Sequence, residues 1–334
     1  MYLDFYNLKT EPFSLSPDPK FLFLSESHKE ALAYLRYGLI QQKGFVVITG
    51  EVGTGKTTLL FTLFAEMPQK VEFAFISNPA LSKDEFFALL AEKYKLGKIK
   101  DKADFLIRFS RFLEKSFSEK KEIILIVDEA HCLTQEVLEE IRLLSNIETP
   151  ESKLLNIILT GQPEFEDILV QPRFRSLRQR VTLKYTLKPL NLEETISYIQ
   201  VRLARAGAKD MSIFTEDAYK KIFSYSNGIP RLINVLCDRA LLTGFVNEAR
   251  QIDGKIIDEC IAEIGDNYNY SGTRNSETPN EVTTSNDKFY KALIIVCGVL
   301  ILLGAILICW KLDCFSKYNN ILDEILEFLG KYNG

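Results

Sequence analysis

Histidine and tryptophan are nearly missing from this chain of 334 residues, which holds two of one and one of the other. With only His28 and His131 to join them, the six cysteines (Cys132, Cys237, Cys260, Cys297, Cys309 and Cys314) lie far apart and form no C-x-x-C pair. That spacing speaks against a zinc centre, and the thiols read as small buried hydrophobes of a reducing compartment. Net positive charge is missing too: 41 Lys and Arg stand against 45 Asp and Glu, a balance of −4. There is thus no overall electrostatic attraction to nucleic acid. Met1 to Lys20 carries charges and prolines and no long apolar core, so no secretory leader is expected and the bulk of the protein is expected in the cytoplasm. What is plentiful is hydrophobic residues, 46% of the chain, enough for two or three domains with real cores.

The central chemistry begins at Gly50-Glu51-Val52-Gly53-Thr54-Gly55-Lys56-Thr57-Thr58, directly after the apolar run Phe45 to Thr49. Strand, glycine-rich turn and helix in that order form a phosphate-binding loop. Glycines let backbone N–H groups converge on phosphate oxygens, and the helix adds the positive end of its dipole. Lys56 is expected to reach the β- and γ-phosphates and Thr57 to offer its hydroxyl to Mg²⁺. Further along, Ile123 to Val127 reads as a strand buried on both faces, and it ends in Asp128-Glu129. Carboxylates at the carboxyl end of a central parallel strand lie where such sheets bind ligands. Asp128 is expected to hold Mg²⁺ through water, and Glu129 to polarise the water that attacks the γ-phosphate.

The tetrad Asp128-Glu129-Ala130-His131 also invites a helicase reading, but no companion motifs follow, so His131 reads as a surface or capping residue. The next strand, Leu154 to Leu159, leads to Thr160-Gly161-Gln162-Pro163-Glu164. Gln162 is the first choice for a side chain sensing the γ-phosphate, and Thr160 the second. For Arg173, Arg175, Arg178 and Arg180 three readings compete: a solvated basic loop, a nucleic-acid contact, and an arginine finger reaching a neighbouring subunit's nucleotide. From Asn191 the pattern is all-helical, with four helices up to Ile264. Arg231 follows Pro230 at the start of one of them, a costly place for a cation unless an anion such as phosphate compensates.

Residues 266–288 read as a flexible polar linker. Ala292 to Trp310 is a run of 19 uncharged residues bracketed by Lys288, Lys291 and Lys311. At ~1.5 Å per residue it just crosses a ~30 Å hydrocarbon layer. The expectation is a single-pass bacterial inner-membrane protein, ATPase domain in the cytoplasm and C-terminus across the membrane, with Ile321 to Leu329 as an amphipathic docking or interfacial helix.

Several stretches in order, Met1-Tyr2-Leu3-Asp4-Phe5-Tyr6-Asn7-Leu8, Glu11-Pro12-Phe13, Ser16-Pro17-Asp18-Pro19, His28 to Leu32, Gly161-Gln162-Pro163-Glu164, Leu177-Arg178-Gln179-Arg180 and Gly228-Ile229-Pro230-Arg231-Leu232-Ile233-Asn234, complete a pattern with the phosphate loop. It resembles AAA+ ATPases of the general secretion pathway protein A type, with the flavour of the subgroup from exosortase and exopolysaccharide loci. The resemblance implies an α/β fold: a P-loop AAA+ parallel sheet domain with a C-terminal helical lid, followed by the linker and one transmembrane helix. On that pattern residues 1–25 form an arm, 26–188 the nucleotide-binding domain, 189–265 the lid, 266–288 the linker, 289–311 the membrane helix and 312–334 the tail. It also implies ATP with Mg²⁺ bound between subunits of a ring or dimer, with Arg178 or Arg180 as finger, Gln162 at the first sensor and Arg231 at the second. The Tyr2 to Phe23 arm would help cover adenine. Partners would be envelope secretion or export proteins, with no nucleic acid favoured. A DNA-associated regulator akin to transposition accessory ATPases is the alternative. Members of this type continue into a peptidoglycan-binding domain, which Lys311 to Gly334 is too short to match.

Overall fold

The computed structural model describes residues 1–268 apart from 16–20, 22, 69, 78 and 151. Its elements run, in chain order, α1 (Tyr2–Phe5), α2 (Glu26–Ile40), β1 (Phe45–Gly50), α3 (Lys56–Glu66), β2 (Val71–Ile76), α4 (Lys83–Lys93), α5 (Lys102–Ser118), β3 (Glu122–Val127), α6 (Gln135–Leu144), β4 (Asn156–Gly161), α7 (Glu164–Val170), α8 (Arg175–Arg178), β5 (Val181–Leu187), α9 (Leu192–Arg205), α10 (Glu216–Ser226), α11 (Pro230–Val246) and α12 (Gly254–Tyr268). The five strands form one sheet in the order β2-β3-β4-β1-β5, with every pair parallel.

Strand position explains strand composition. β1 and β4 are buried along their whole length, whereas the edge strand β5 alternates polar and apolar residues. Period-two alternation divides the inner strands between two cores. Phe45, Val47, Leu125, Val127, Ile157 and Leu159 point to the face covered by α4, α5, α6 and α7, where Phe86, Phe87, Phe105 and Phe109 are fully buried. Val46, Ile48, Ile124, Ile126 and Ile158 point to the other face, against Leu32, Leu35, Leu59 and Leu60 of α2 and α3. Capping residues set the helix starts. Ser82 with Glu85 and Asn191 with Glu194 form capping boxes, and Asp101, Thr134 and Thr215 each accept a first-turn N–H.

A third core fills the all-helical bundle α9–α12, and the N-terminal arm is part of it. Tyr6, Leu8, Phe13 and Phe21 are buried there beside Ile199, Leu203, Ile233 and Leu236. The Tyr6 hydroxyl donates to the Ala249 carbonyl at 2.9 Å, and the Tyr2 hydroxyl to Asp238 at 2.7 Å. The described part of the N-terminal arm is thus packed into the bundle core. Its aromatics need an apolar partner, and the bundle supplies it.

Other sequence readings change in detail. β4 starts two residues later than the apolar run, because Leu154 and Leu155 are buried ahead of the pairing at Asn156. The stretch carrying the arginines holds short helical turns, Pro172–Phe174 and α8, in place of a loop. α12 runs on to Tyr268, past the expected linker start at 266. The rest of the linker, the membrane stretch 289–311 and the tail 312–334 lie outside the described residues. The single-pass inner-membrane placement is corrected: among the described residues no helix is long and apolar enough to cross a membrane. An apolar run in a sequence fixes how far a helix would reach, and does not itself establish the helix.

Candidate functional site

β1 delivers the chain to Gly50 at the carboxyl edge of the sheet, and α3 starts at Lys56, so residues 51–55 must reverse direction within five residues. Two left-handed glycines make the turn possible. Gly53 has φ +83° and Gly55 φ +99°. A Cβ on Gly53 would sit 2.5 Å from Cβ of Arg231, and one on Gly55 would sit 2.9 Å from Nε2 of His28. Glu51 and Val52 form the exposed shoulder, Thr54 is buried with its hydroxyl on the Glu51 carbonyl at 2.8 Å, and Thr57 and Thr58 open α3.

Lys56 is 5% exposed and its ammonium donates to the carbonyls of Gly50 and Glu51 at 2.8 and 3.0 Å. Burial pulls its pKa below the ordinary lysine value, against the opposing pull of the Glu129, Asp128 and Glu51 carboxylates. The Thr57 hydroxyl donates to Asp128 Oδ2 at 2.6 Å. Asp128 is itself buried, and its Oδ1 accepts from the Thr160 hydroxyl at 2.5 Å and from the Glu129 N–H at 3.0 Å. Thr160 thus fixes the Asp128 carboxylate. Among the described residues no cluster of three His, Cys, Asp or Glu side chains could hold a metal. One hydroxyl and one carboxylate suit Mg²⁺, which takes few protein ligands and completes its shell with water and phosphate oxygen.

Glu129 has φ +53°, a left-handed conformation that turns it out of the strand and beside Asp128. Gln162 Nε2 is 3.4 Å from Glu129 Oε2, and Nδ1 of His131 is 3.4 Å from the same oxygen. His131 also accepts from the Gln162 N–H at 3.4 Å. It belongs to this cluster, contrary to the surface or capping role expected of it; the short helical turn Ala130–Cys132 folds it back over Glu129.

Lys56, Thr57, Thr58, Glu129 and Arg231 line one cleft of about 370 Å³. Arg231 opens α11, and its N–H donates to the Gly53 carbonyl at 3.3 Å, so the bundle touches the loop directly. Arg178 and Arg180 do not reach this cleft. Arg178 bonds the Val170 carbonyl at 3.4 Å and Arg180 the Ser145 hydroxyl at 3.2 Å, while Arg173 bonds Gln171. The same cleft is also lined by Phe21, Phe23, Leu190, Tyr198, Arg202 and Asn234. Beneath the loop, His28 Nε2 meets the Thr54 carbonyl at 3.0 Å and Nδ1 meets the Ser25 hydroxyl at 2.7 Å. Tyr198 and Arg202 escape a sequence reading because each sits in an ordinary amphipathic helix, and Asn234 enters it only as the end of the Gly228 to Asn234 stretch. His28 leaves one faint trace, a buried polar residue on the apolar side of α2.

Residues 39–169 match the AAA domain family. Over 255 residues the chain is 44% identical to general secretion pathway protein A of Aeromonas hydrophila, covering 75% of this chain and 46% of that protein. Residues 39–169 thus carry an AAA domain. Over the matched length the resemblance to the general secretion pathway protein A type holds, although the chain spans about half the length of that relative. Two solved structures share the fold. Cdc6p from Pyrobaculum aerophilum superposes with a TM-score of 0.60 at 17% identity, covering 76% of this chain and 70% of that one. Drosophila ORC bound to DNA gives 0.58 at 18%, covering 79% and 66%. These likenesses speak for the AAA+ architecture alone.

Proposed function

We propose that this AAA+ chain binds ATP with Mg²⁺ and hydrolyses it, and that the turnover drives assembly or regulation of a secretion or exopolysaccharide export system through protein partners. The observation that carries the reading is the contact of Thr57 with Asp128 beside Lys56 and Glu129, at the mouth of a turn that only glycines at 53 and 55 can make. Backbone N–H groups of residues 51–57 bind the phosphates, with Lys56 released from its two carbonyl partners to meet the β- and γ-oxygens. Thr57 and Asp128 would hold Mg²⁺, which would supply charge neutralisation at the transferred phosphoryl group. Glu129 polarises the attacking water, with Gln162 beside it as the first sensor.

The bundle α9–α12 acts as the lid, and Arg231, at the contact between α11 and the loop, serves as the second sensor. Arg178 and Arg180 stand away from their own cleft, which suits a finger offered to the nucleotide of a neighbouring copy in a ring or dimer. The similarity to general secretion pathway protein A supports secretion or export proteins as partners. Two substitutions test the core of the reading. Lys56→Ala abolishes nucleotide binding, whereas Glu129→Gln keeps ATP and lowers turnover by about 10²-fold or more, the range of a lost general base. Hydrolysis by Glu129→Gln at the unaltered rate removes Glu129 from the water-activating role.

A further inference from the structure

Arg202 is 7% exposed, and it has no carboxylate partner among the described residues. Three of its five donors are bonded elsewhere. Nε donates to the Pro12 carbonyl at 2.5 Å and Nη2 to the Ser14 carbonyl at 3.2 Å, so one side chain of α9 ties down the N-terminal arm. The guanidinium also lies 5.0 Å from the Phe21 ring centre and 5.4 Å from that of Tyr198, within the range of cation–π attraction. The third bond decides the chemistry of the cleft. Nη1 donates to the Tyr198 hydroxyl at 2.7 Å, and that hydroxyl lies 2.9 Å from Oδ1 of Asn234.

Directions along this chain of bonds follow from the placement of its donors. Arginine has no acceptor, so the phenol oxygen must accept from it, and its own proton is then free to go to Asn234. Burial pushes the Tyr198 hydroxyl above its ordinary value, so the phenol keeps that proton. Asn234 therefore turns its oxygen to Tyr198 and keeps its NH₂ as a donor. Asn234 is 7% exposed and lines the cleft three residues after Arg231, on the same side of α11. Around it the cleft wall is aromatic, with Phe23 edge-on to Tyr198 at 5.7 Å. Flat apolar walls and one oriented donor match a heterocyclic base with a ring-nitrogen acceptor.

We infer that Asn234 is the base-reading donor of the nucleotide cleft, and that Arg202 is a positioning residue that sets its polarity through Tyr198 while tying down the arm. The inference rests on the nucleotide reading above. It is tested on the full chain by comparing the Kd for ATP with that for inorganic tripolyphosphate, both with Mg²⁺, since tripolyphosphate offers the phosphates without a base. Asn234→Asp swaps donor for acceptor at nearly unchanged shape, and weakens ATP about tenfold while tripolyphosphate binds as before. Arg202→Lys keeps the charge but cannot hold two carbonyls and the phenol together, and gives the same selective loss. In a Tyr198→Phe background the amide can turn over, so the further effect of Asn234→Asp shrinks to less than about threefold. Equal ATP affinity in Asn234→Asp and the unaltered chain overturns the inference. So does a parallel loss of ATP and tripolyphosphate, which marks general damage to the cleft. If the unaltered chain binds neither, the nucleotide reading itself falls, and the two failures are told apart.

Discussion

Removing the Thr160 hydroxyl while keeping its shape, as Thr160→Val, isolates the support of the Asp128 carboxylate. Thr160 is fully buried at the end of β4 and donates to Asp128 Oδ1 at 2.5 Å. Without it, Oδ1 keeps the Glu129 N–H at 3.0 Å, and Oδ2 keeps the Thr57 hydroxyl at 2.6 Å. A hydrogen bond to a charged acceptor contributes about 1.5–3 kcal/mol, and no water can replace a donor at a site closed to solvent. Because one N–H remains on the same oxygen, the lower half of that range applies, about 1.5–2 kcal/mol of lost stability. Urea unfolding with and without Mg²⁺·ATP measures it. The midpoint falls with the slope m unchanged, and Mg²⁺-dependent ATP affinity falls severalfold because Asp128 is less firmly aimed. Thr57→Val provides the contrast: it removes the proposed metal-binding hydroxyl, so the loss of Mg²⁺ dependence exceeds the loss of stability. Thr160→Val with an unmoved midpoint refutes the claim that this hydroxyl holds Asp128.

Three other predictions concern pH, packing and assembly. Burial holds the His28 imidazole below its ordinary value near 6.5, while the Thr54 carbonyl and the Glu194 charge oppose it. The unfolded chain then binds the extra proton first, so stability is complete above about pH 6.5 and declines as pH falls below it. In His28→Gln, which cannot titrate, that decline is shallower in the same unfolding series. Glu140 is buried on α6 between Lys83 of α4 at 2.9 Å and Lys102 of α5 at 2.6 Å. Burial raises its carboxyl and the two lysines outweigh it, leaving it below the usual range, so Glu140→Gln costs about 1–3 kcal/mol at neutral pH and little in acid, read by the unfolding midpoint at both. Arg180→Ala lowers ATP turnover, and mixing it with Lys56→Ala subunits restores part of the rate if the arginine acts on a neighbouring copy. Absence of any rescue argues against that role.

Much of the site was legible because phosphate chemistry constrains local sequence. A loop that must present N–H groups within nine residues needs its glycines, its lysine and its threonine at set offsets, and Gly50 to Thr58 carries them in one stretch. Asp128-Glu129 was legible for a related reason, since a strand buried on both faces carries carboxylates only at its ends. The three-layer core also followed from local pattern: continuous apolar runs for β1, β3 and β4, and helical spacing for α2 and α9–α12. Tertiary structure alone decided where these pieces meet. No spacing in the chain foretells that Thr160 holds Asp128, that His131 turns back over Glu129, or that Arg231 lands on Gly53, 178 positions earlier. The arm is the plainest case. Its aromatics read only as an arm until α9–α12 provide a core for them, and Arg202 becomes meaningful only when Pro12 and Ser14 lie within its reach. A motif records what neighbouring residues must do together; a buried side chain's task is set by whatever the fold brings against it.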